Sequence, residues 1–343
     1  MPRFHDRTLF RTATLGLLLM FISGTALAQY SLVNLVSNQA GRAKNQDPLL
    51  TNAWGLTYGP GGPFWISDNG SGWSTTYNGA GVPQSTSIVI PSASSNPGSP
   101  TGIVYNGSQE FLVEGWPSIF LFATLDGTIS GWSPISNPNE AIIAVNNSGS
   151  GAVYTGLAIT SKASGNYLYA ADAANNKVDV YDGTFSLVTS FMDPKLPAGF
   201  TPFGIQDING QVYVAFANSS GLPGGFIDVF SEAGVLLKHL VHGLPLNQPW
   251  GIALAPANFG ALSYALLVSN NTNTGTINGF NATTGKFIGT ITNSKGKPIV
   301  IDQLWGIEFG GGSPANGSTN ELFFTAGPSK NANGIFGAIG PSK

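Results

Sequence analysis

The 343-residue chain has no cysteine, which excludes disulfide staples and thiolate metal centres. Charged residues make up only 9% of it. Nucleic-acid binding depends on clustered cations that neutralise phosphates, and an excess of acidic over basic residues argues against it here. Histidine is nearly absent: beyond His5 there are only His239 and His242. They stand three apart on one apolar stretch, and residues three apart in a strand point to opposite faces. A zinc centre built on a histidine cluster is therefore disfavoured. No Gly-x-Ser-x-Gly elbow and no EF-hand loop occurs. Gly279 to Lys286 misses the phosphate-loop spacing and has Phe287 where Ser or Thr is required, so Thr283-Thr284-Gly285-Lys286 reads as a hairpin turn.

One apolar run stands at the N-terminus. Arg3, Arg7 and Arg11 precede the apolar stretch from Ala13 to Gly24, and Ala26-Leu27-Ala28 follows as a small-x-small cleavage pattern. The apolar core is shorter than the ~20 residues a bilayer span requires. Residues 1–28 are expected to be a cleaved signal peptide, and the protein to be secreted or periplasmic with no membrane span afterwards. The full chain carries 14 Lys and Arg against 17 Asp and Glu. Cleavage removes three arginines and one aspartate, leaving a net charge of −5 on residues 29–343.

What the chain has in abundance is glycine in a repeated phrase. Trp54-Gly55-Leu56, Thr101-Gly102-Ile103, Thr155-Gly156-Leu157, Phe203-Gly204-Ile205, Trp250-Gly251-Ile252 and Trp305-Gly306-Ile307 recur with glycine intervals of 47, 54, 48, 47 and 55 residues. A period of that size in a strand-rich sequence is that of a β-propeller, one four-stranded blade per repeat. Each phrase starts an inner strand, where converging backbones favour a residue without Cβ. A near-continuous apolar second strand follows, as in Phe64-Trp65-Ile66-Ser67-Asp68 and Leu266-Leu267-Val268-Ser269-Asn270. The third strand ends on an aromatic (Tyr77, Trp132, Tyr181, Phe230, Phe280), with Ala338 in the sixth repeat. Asp126-Gly127 has the composition of a two-residue type I′ hairpin turn.

Fourth strands follow in five repeats, but the sixth has none, whereas Tyr30 to Val36 reads as a strand without a repeat. That segment is expected to complete the last blade and close the ring. A seventh blade would need ~45 further residues; the 26 from Gln29 to Trp54 cannot supply them. The expectation is one all-β domain over residues 29–343, a six-bladed propeller.

The phrases Ala53-Trp54-Gly55-Leu56, Phe122 to Trp132, Asp193-Pro194-Lys195-Leu196-Pro197-Ala198-Gly199-Phe200 and Pro249 to Pro256, with the ending Phe324-Thr325-Ala326-Gly327-Pro328, resemble a family of uncharacterised exported bacterial proteins. The resemblance covers residues 30–340 and implies a six-bladed propeller similar to NHL-repeat and TolB-like proteins. It implies no activity. Some members carry a C-terminal PEP-type sorting tail; no Pro-Glu-Pro follows Ile339 here.

Two rings of residues are expected at one channel mouth. The residues before the glycines include Trp54, Phe203, Trp250 and Trp305, which could stack a sugar or another flat apolar ligand, or wedge between blades as core. The last residues of the second strands include Asp68, Asp172 and Asn270, a donor set suited to Ca²⁺. The commoner role of such residues is to cap their own turns. The expected function is non-catalytic binding of a small ligand, glycan or protein at that mouth, by a monomer. Alternatives are a metal-dependent hydrolase or lactonase working at the axis, and a structural envelope or matrix protein.

Overall fold

The computed structural model describes residues 1–2, 29–94, 97–160 and 165–342. The expected signal peptide thus lies outside the described residues, apart from Met1 and Pro2. No helix among them is long and apolar enough to cross a membrane.

Six sheets form a ring, each of four antiparallel strands, with the short strand Asn45–Gln46 added parallel to Tyr30–Ser37 in the sixth. The inner strands are Ala53–Tyr58, Pro100–Tyr105, Tyr154–Thr160, Phe200–Ile208, Pro249–Leu254 and Leu304–Phe309. Each neighbours the next, and the sixth returns to the first. In the sixth blade the third strand, Ile335–Pro341, pairs antiparallel with Tyr30–Ser37, from Tyr30 opposite Pro341 to Ser37 opposite Ile335. The expected closure is thus present, and it leaves no gap in the ring.

The apolar second strands divide their side chains between two seams. Phe64 and Ile66 pack towards Phe323 and Phe336 of the sixth blade, while Trp65 packs with Ile103, Phe120 and Trp132 of the second. Leu168 and Ala170 face the second blade; Tyr169 and Ala171 face the fourth. Six such clusters, one per seam, form the core. Each fully buried Leu or Phe contributes about 1.5–3 kcal/mol, so the ring is held chiefly by what lies between blades.

The phrase glycines sit where each inner strand meets the next. A Cβ on Gly55 would lie 2.5 Å from the Thr101 carbonyl oxygen, and one on Gly251 2.7 Å from that of Trp305. Hydroxyls complete the join. Thr101 Oγ1 donates to the Tyr154 carbonyl at 2.7 Å, and Ser269 Oγ to that of Trp305 at 2.6 Å.

Two details differ from the sequence reading. The long second interval accommodates an extra hairpin, Leu112–Val113 with Trp116–Pro117, inserted before the second strand of that blade. The Asp126-Gly127 turn is not of type I′, which needs positive φ at both central residues. Only Gly127 has it (+76°), and its N–H closes the turn on the Thr124 carbonyl at 3.2 Å. Asp126 instead uses its carboxylate to accept from Ser92 Oγ and the Ala93 N–H, both at 2.6 Å.

Candidate functional site

The loops entering the inner strands and the turns leaving the second strands share one face. In all six blades a turn N–H donates to an entry-loop carbonyl: Asn69 to Asn52, Leu125 to Ser99, Ala173 to Val153, Ser219 to Gly199, Asn271 to Gln248 and Gly327 to Gln303, at 2.8–3.1 Å. Asn52, Gln248 and Gln303, each two residues before a tryptophan, have φ of +47°, +52° and +52°. This left-handed step is costly for non-glycine residues, at about 1–3 kcal/mol. It recurs where the entry loop leads into a Trp-Gly phrase.

The indoles fill the axis. Trp54 and Trp305 stack with ring centroids 3.7 Å apart and planes 22° apart. Trp250 meets both edge-on, at 6.2 and 5.9 Å. Trp250 Nε1 donates to the Thr155 carbonyl across the axis at 3.0 Å, and Trp305 Nε1 to Asn52 Oδ1 at 3.1 Å. All three indoles are buried. The expectation that Trp54, Trp250 and Trp305 offer open stacking faces is corrected: their faces are occupied by one another.

Phe203 is the exception. It touches Trp54 and Trp305, at 6.4 and 5.7 Å between centroids, yet stays partly exposed. Above it lies a depression of about 410 Å³ between the third and fourth blades. Its walls are small side chains, among them Ala173, Ala174 and Ala217, with Asn218 and Gln248 at the polar positions. The fourth blade makes this wall because its first two strands keep pairing beyond Pro202 opposite Phe216, up to Phe200 opposite Asn218. The sequence singled out Phe203 but gave no signal for the depression.

Asp68, Asp172 and Asn270 are turned into their own blades. Asp68 Oδ2 accepts from Thr75 Oγ1 at 2.7 Å, and burial pushes its carboxyl well above the usual carboxylate range. Asp172 accepts from the Val153 N–H at 3.1 Å and the Asn175 side chain at 2.7 Å. Asn270 accepts from the Asn247 N–H and donates to the Pro245 carbonyl, at 3.0 and 2.9 Å. The calcium set does not assemble at the axis, because these groups satisfy local backbone and side chains. Among the described residues, a group able to share one ion is Asp193, Asp228 and His239, away from the axis. Single-strand reasoning missed it, because the partner of His239 lies on the neighbouring strand.

Beyond the aromatic plug the channel runs to the other face as a narrow lumen lined by Leu56, Ile103, Ile205, Gln206, Ile307 and Glu308. Near Gln206 and Glu308 it holds about 150 Å³. Burial pushes the Glu308 carboxyl up to about 8, so this acid holds its proton near neutral pH.

No family model matches the sequence. The chain is 30% identical over 336 residues to "Uncharacterized protein R648" of Acanthamoeba polyphaga mimivirus, covering 92% of this chain and 81% of that protein. The chain belongs to the family of this viral protein. A second member, "Uncharacterized protein L690" of the same virus, is 29% identical over 336 residues, covering 92% of this chain and 86% of its own. The relatives are viral, so the bacterial, exported origin implied by the resemblance is not supported, whereas its propeller fold is. Among solved structures, the chain resembles a gluconolactonase from Xanthomonas campestris, with a TM-score of 0.58, 14% identity, and coverage of 93% of this chain and 91% of that one. It also resembles virginiamycin B lyase from Staphylococcus aureus, with a TM-score of 0.54, 15% identity, and coverage of 92% and 99%. At such identities the likeness concerns the fold, and a shared fold does not carry chemistry.

Proposed function

We propose that this protein is a binding propeller that takes a small, flat, weakly polar group into the depression above Phe203. The observation that carries this reading is the open face of Phe203 in a mouth whose indoles are otherwise sealed. A volume of about 410 Å³ suits a sugar ring or an aromatic group, and such sites are largely apolar with a few polar groups that fix orientation. Phe203 supplies the stacking surface; at the edge Asn218 offers its Nδ2 as donor and Gln248 its Oε1 as acceptor, since Asn218 Oδ1 already accepts from the Ser220 N–H and Gln248 Nε2 already donates to the Asn218 and Leu222 carbonyls. The test is a glycan array together with an aromatic-fragment screen by ligand-observed NMR. Hits should be lost in Phe203→Ala and in Ala174→Trp, which fills the depression. A blank screen, or hits that persist in both variants, would refute the reading.

An enzymatic reading rests on Glu308, a carboxyl protonated near neutral pH and open to a lumen of about 150 Å³. Such a group can serve as a general acid. It predicts turnover of small esters or lactones that vanishes in Glu308→Gln; no turnover across a panel from pH 6 to 9 would remove it.

We also infer export, from the basic, apolar and small-residue order of residues 1–28. N-terminal sequencing of the secreted protein should begin at Gln29. Retention inside the cell with residues 1–28 intact would overturn this.

A further inference from the structure

The third strands of consecutive blades carry a polar residue two positions before their closing aromatic: Asp179, Asp228 and Asn278. Each stands directly opposite a polar residue of the outer strand: Ser190, His239 and Thr290. In the third blade the device is complete. Asp179 accepts from Ser190 Oγ at 2.5 Å and Tyr154 Oη at 3.0 Å, and pairs with Lys177 Nζ at 2.8 Å. The fifth blade is also closed, with Thr290 Oγ1 donating to Asn278 Oδ1 at 2.7 Å and Asn278 Nδ2 to the Pro245 carbonyl at 3.2 Å.

The fourth blade is different. His239 Nδ1 lies 3.2 Å from Asp228 Oδ1 and 3.3 Å from Asp193 Oδ2. Both aspartates are buried, Asp228 at 0% and Asp193 at 3% exposure. Asp193 comes from the connection between the third and fourth blades, within the Asp193-Pro194-Lys195-Leu196 phrase. It is fixed there by the Lys195 N–H, which donates to Oδ1 at 2.9 Å. Its Oδ2, turned towards the imidazole, receives no hydrogen bond, and neither does Asp228 Oδ2.

One Nδ1 carries at most one proton, which a three-centre bond would divide between the two carboxylates only weakly; the hydrogen bond goes to Asp228. The contacts are also longer than the 2.7–2.9 Å of charge-assisted hydrogen bonds. They suit another arrangement. Ligands held about 2.0–2.2 Å from a tetrahedral Zn²⁺ stand about 3.3–3.6 Å apart, and the two separations to Nδ1 fall at the short end of that range. Imidazole with carboxylates is a donor set for divalent first-row metals. The imidazole is 40% exposed, leaving a solvent-side path for entry and for a water as fourth ligand.

We propose that Asp193 Oδ2, Asp228 Oδ1 and His239 Nδ1 form a divalent-cation site, with Zn²⁺ as its natural probe, that pins the inter-blade connection to the outer hairpin of the fourth blade. The ion takes the place of the protons that two adjacent buried carboxylates would otherwise need. Its role is to fasten a seam remote from the channel, so it stands independently of the depression above Phe203.

The test is isothermal titration with ZnCl₂, alongside thermal melting, on protein first stripped with EDTA. The expected result is one Zn²⁺ per chain and a raised melting temperature. Asp228→Asn and His239→Gln should weaken binding at least tenfold, while His242→Gln, on the same strand, should not. Circular dichroism of the stripped variants checks that each remains folded. If Asp228→Asn does not fold, Asp193→Asn and His239→Gln carry the same expectation. Absence of Zn²⁺ binding, binding indifferent to these substitutions, or binding lost in His242→Gln would each overturn the proposal.

Discussion

The third and fourth blades share one plan, yet equivalent positions in them face different surroundings. Thr155 precedes the glycine in one and is buried, with its hydroxyl on backbone carbonyls; Phe203 precedes it in the other and stays partly open. Gly156 meets its neighbour with some slack, whereas Gly204 presses directly against the Trp250 backbone. Asp179 is saturated by donors on three sides, while Asp228 shares one imidazole nitrogen with a second buried carboxylate. The pattern teaches that the repeat sets the backbone, while the neighbours of each blade decide whether a polar residue is structural or available.

The largest expected effect tests the glycines. A Cβ on Gly156 would lie 3.2 Å from Ile205 Cγ2 and the Phe203 carbonyl oxygen, a contact that small shifts can relieve. On Gly204 it would overlap the Trp250 carbonyl, which belongs to the next inner strand and cannot yield alone. Gly204→Ala should cost more than about 3 kcal/mol or prevent ring closure, since overpacking of a rigid site is strongly destabilising. Gly156→Ala should stay within about 1 kcal/mol, because lost chain entropy offsets part of the crowding. Urea unfolding of the two variants measures the difference; equal losses would show that the fourth seam is no tighter than the third.

A smaller contrast is expected at the aspartates in metal-free protein. Asp179→Asn places an amide among donors that need an acceptor, and should cost about 2–3 kcal/mol. Asp228→Asn keeps an oxygen for His239 and removes one of two neighbouring carboxylates, so its cost should be under about 1 kcal/mol. Unfolding in EDTA measures both. A reversed order would mean that Asp228, and not Asp179, is the structural member of the pair.

These contrasts mark how far the sequence could be read. The six glycine phrases and the orphan strand at Tyr30 carried the architecture, because backbone convergence and ring closure impose a period that survives in one dimension. The position of the tryptophans at the mouth was legible too. Their orientation was not: whether an indole faces solvent depends on the other two, contributed by blades about 50 to 250 residues away in the chain. Asp68, Asp172 and Asn270 looked like ligands because strand ends converge, but Asp68 is captured by the Thr75 hydroxyl of the next strand, and Asp172 and Asn270 by backbone N–H groups of adjacent loops. His239 looked idle beside His242. Its partners are Asp228 across one strand pair and Asp193 across one connection, and strand register, not spacing, brings them together.

The last and smallest contrast extends the comparison along the channel. The position two residues after the phrase glycine is Ala158 in the third blade, Gln206 in the fourth and Glu308 in the sixth. Gln206 and Glu308 line the same stretch of lumen. Burial raises the Glu308 carboxyl from its ordinary 4.5 to about 8, so between those values the folded chain binds a proton that the unfolded chain has released. Stability must then fall as pH rises through that interval and level off above about 8, where the carboxylate is charged in both states. Tyr58, whose own ionisation is pushed up to about 12 by burial and by the Glu308 charge, stays neutral throughout and contributes no slope there. Glu308→Gln makes the sixth blade like the fourth at this position and removes the titration. Melting temperatures of the two proteins should therefore separate steadily between about pH 5 and pH 8, with the variant gaining on the wild type, and run parallel above. Curves that stay parallel from pH 5 upwards would mean that water in the lumen already solvates the carboxylate, and with that the acid proposed for the channel would lose its proton at neutral pH.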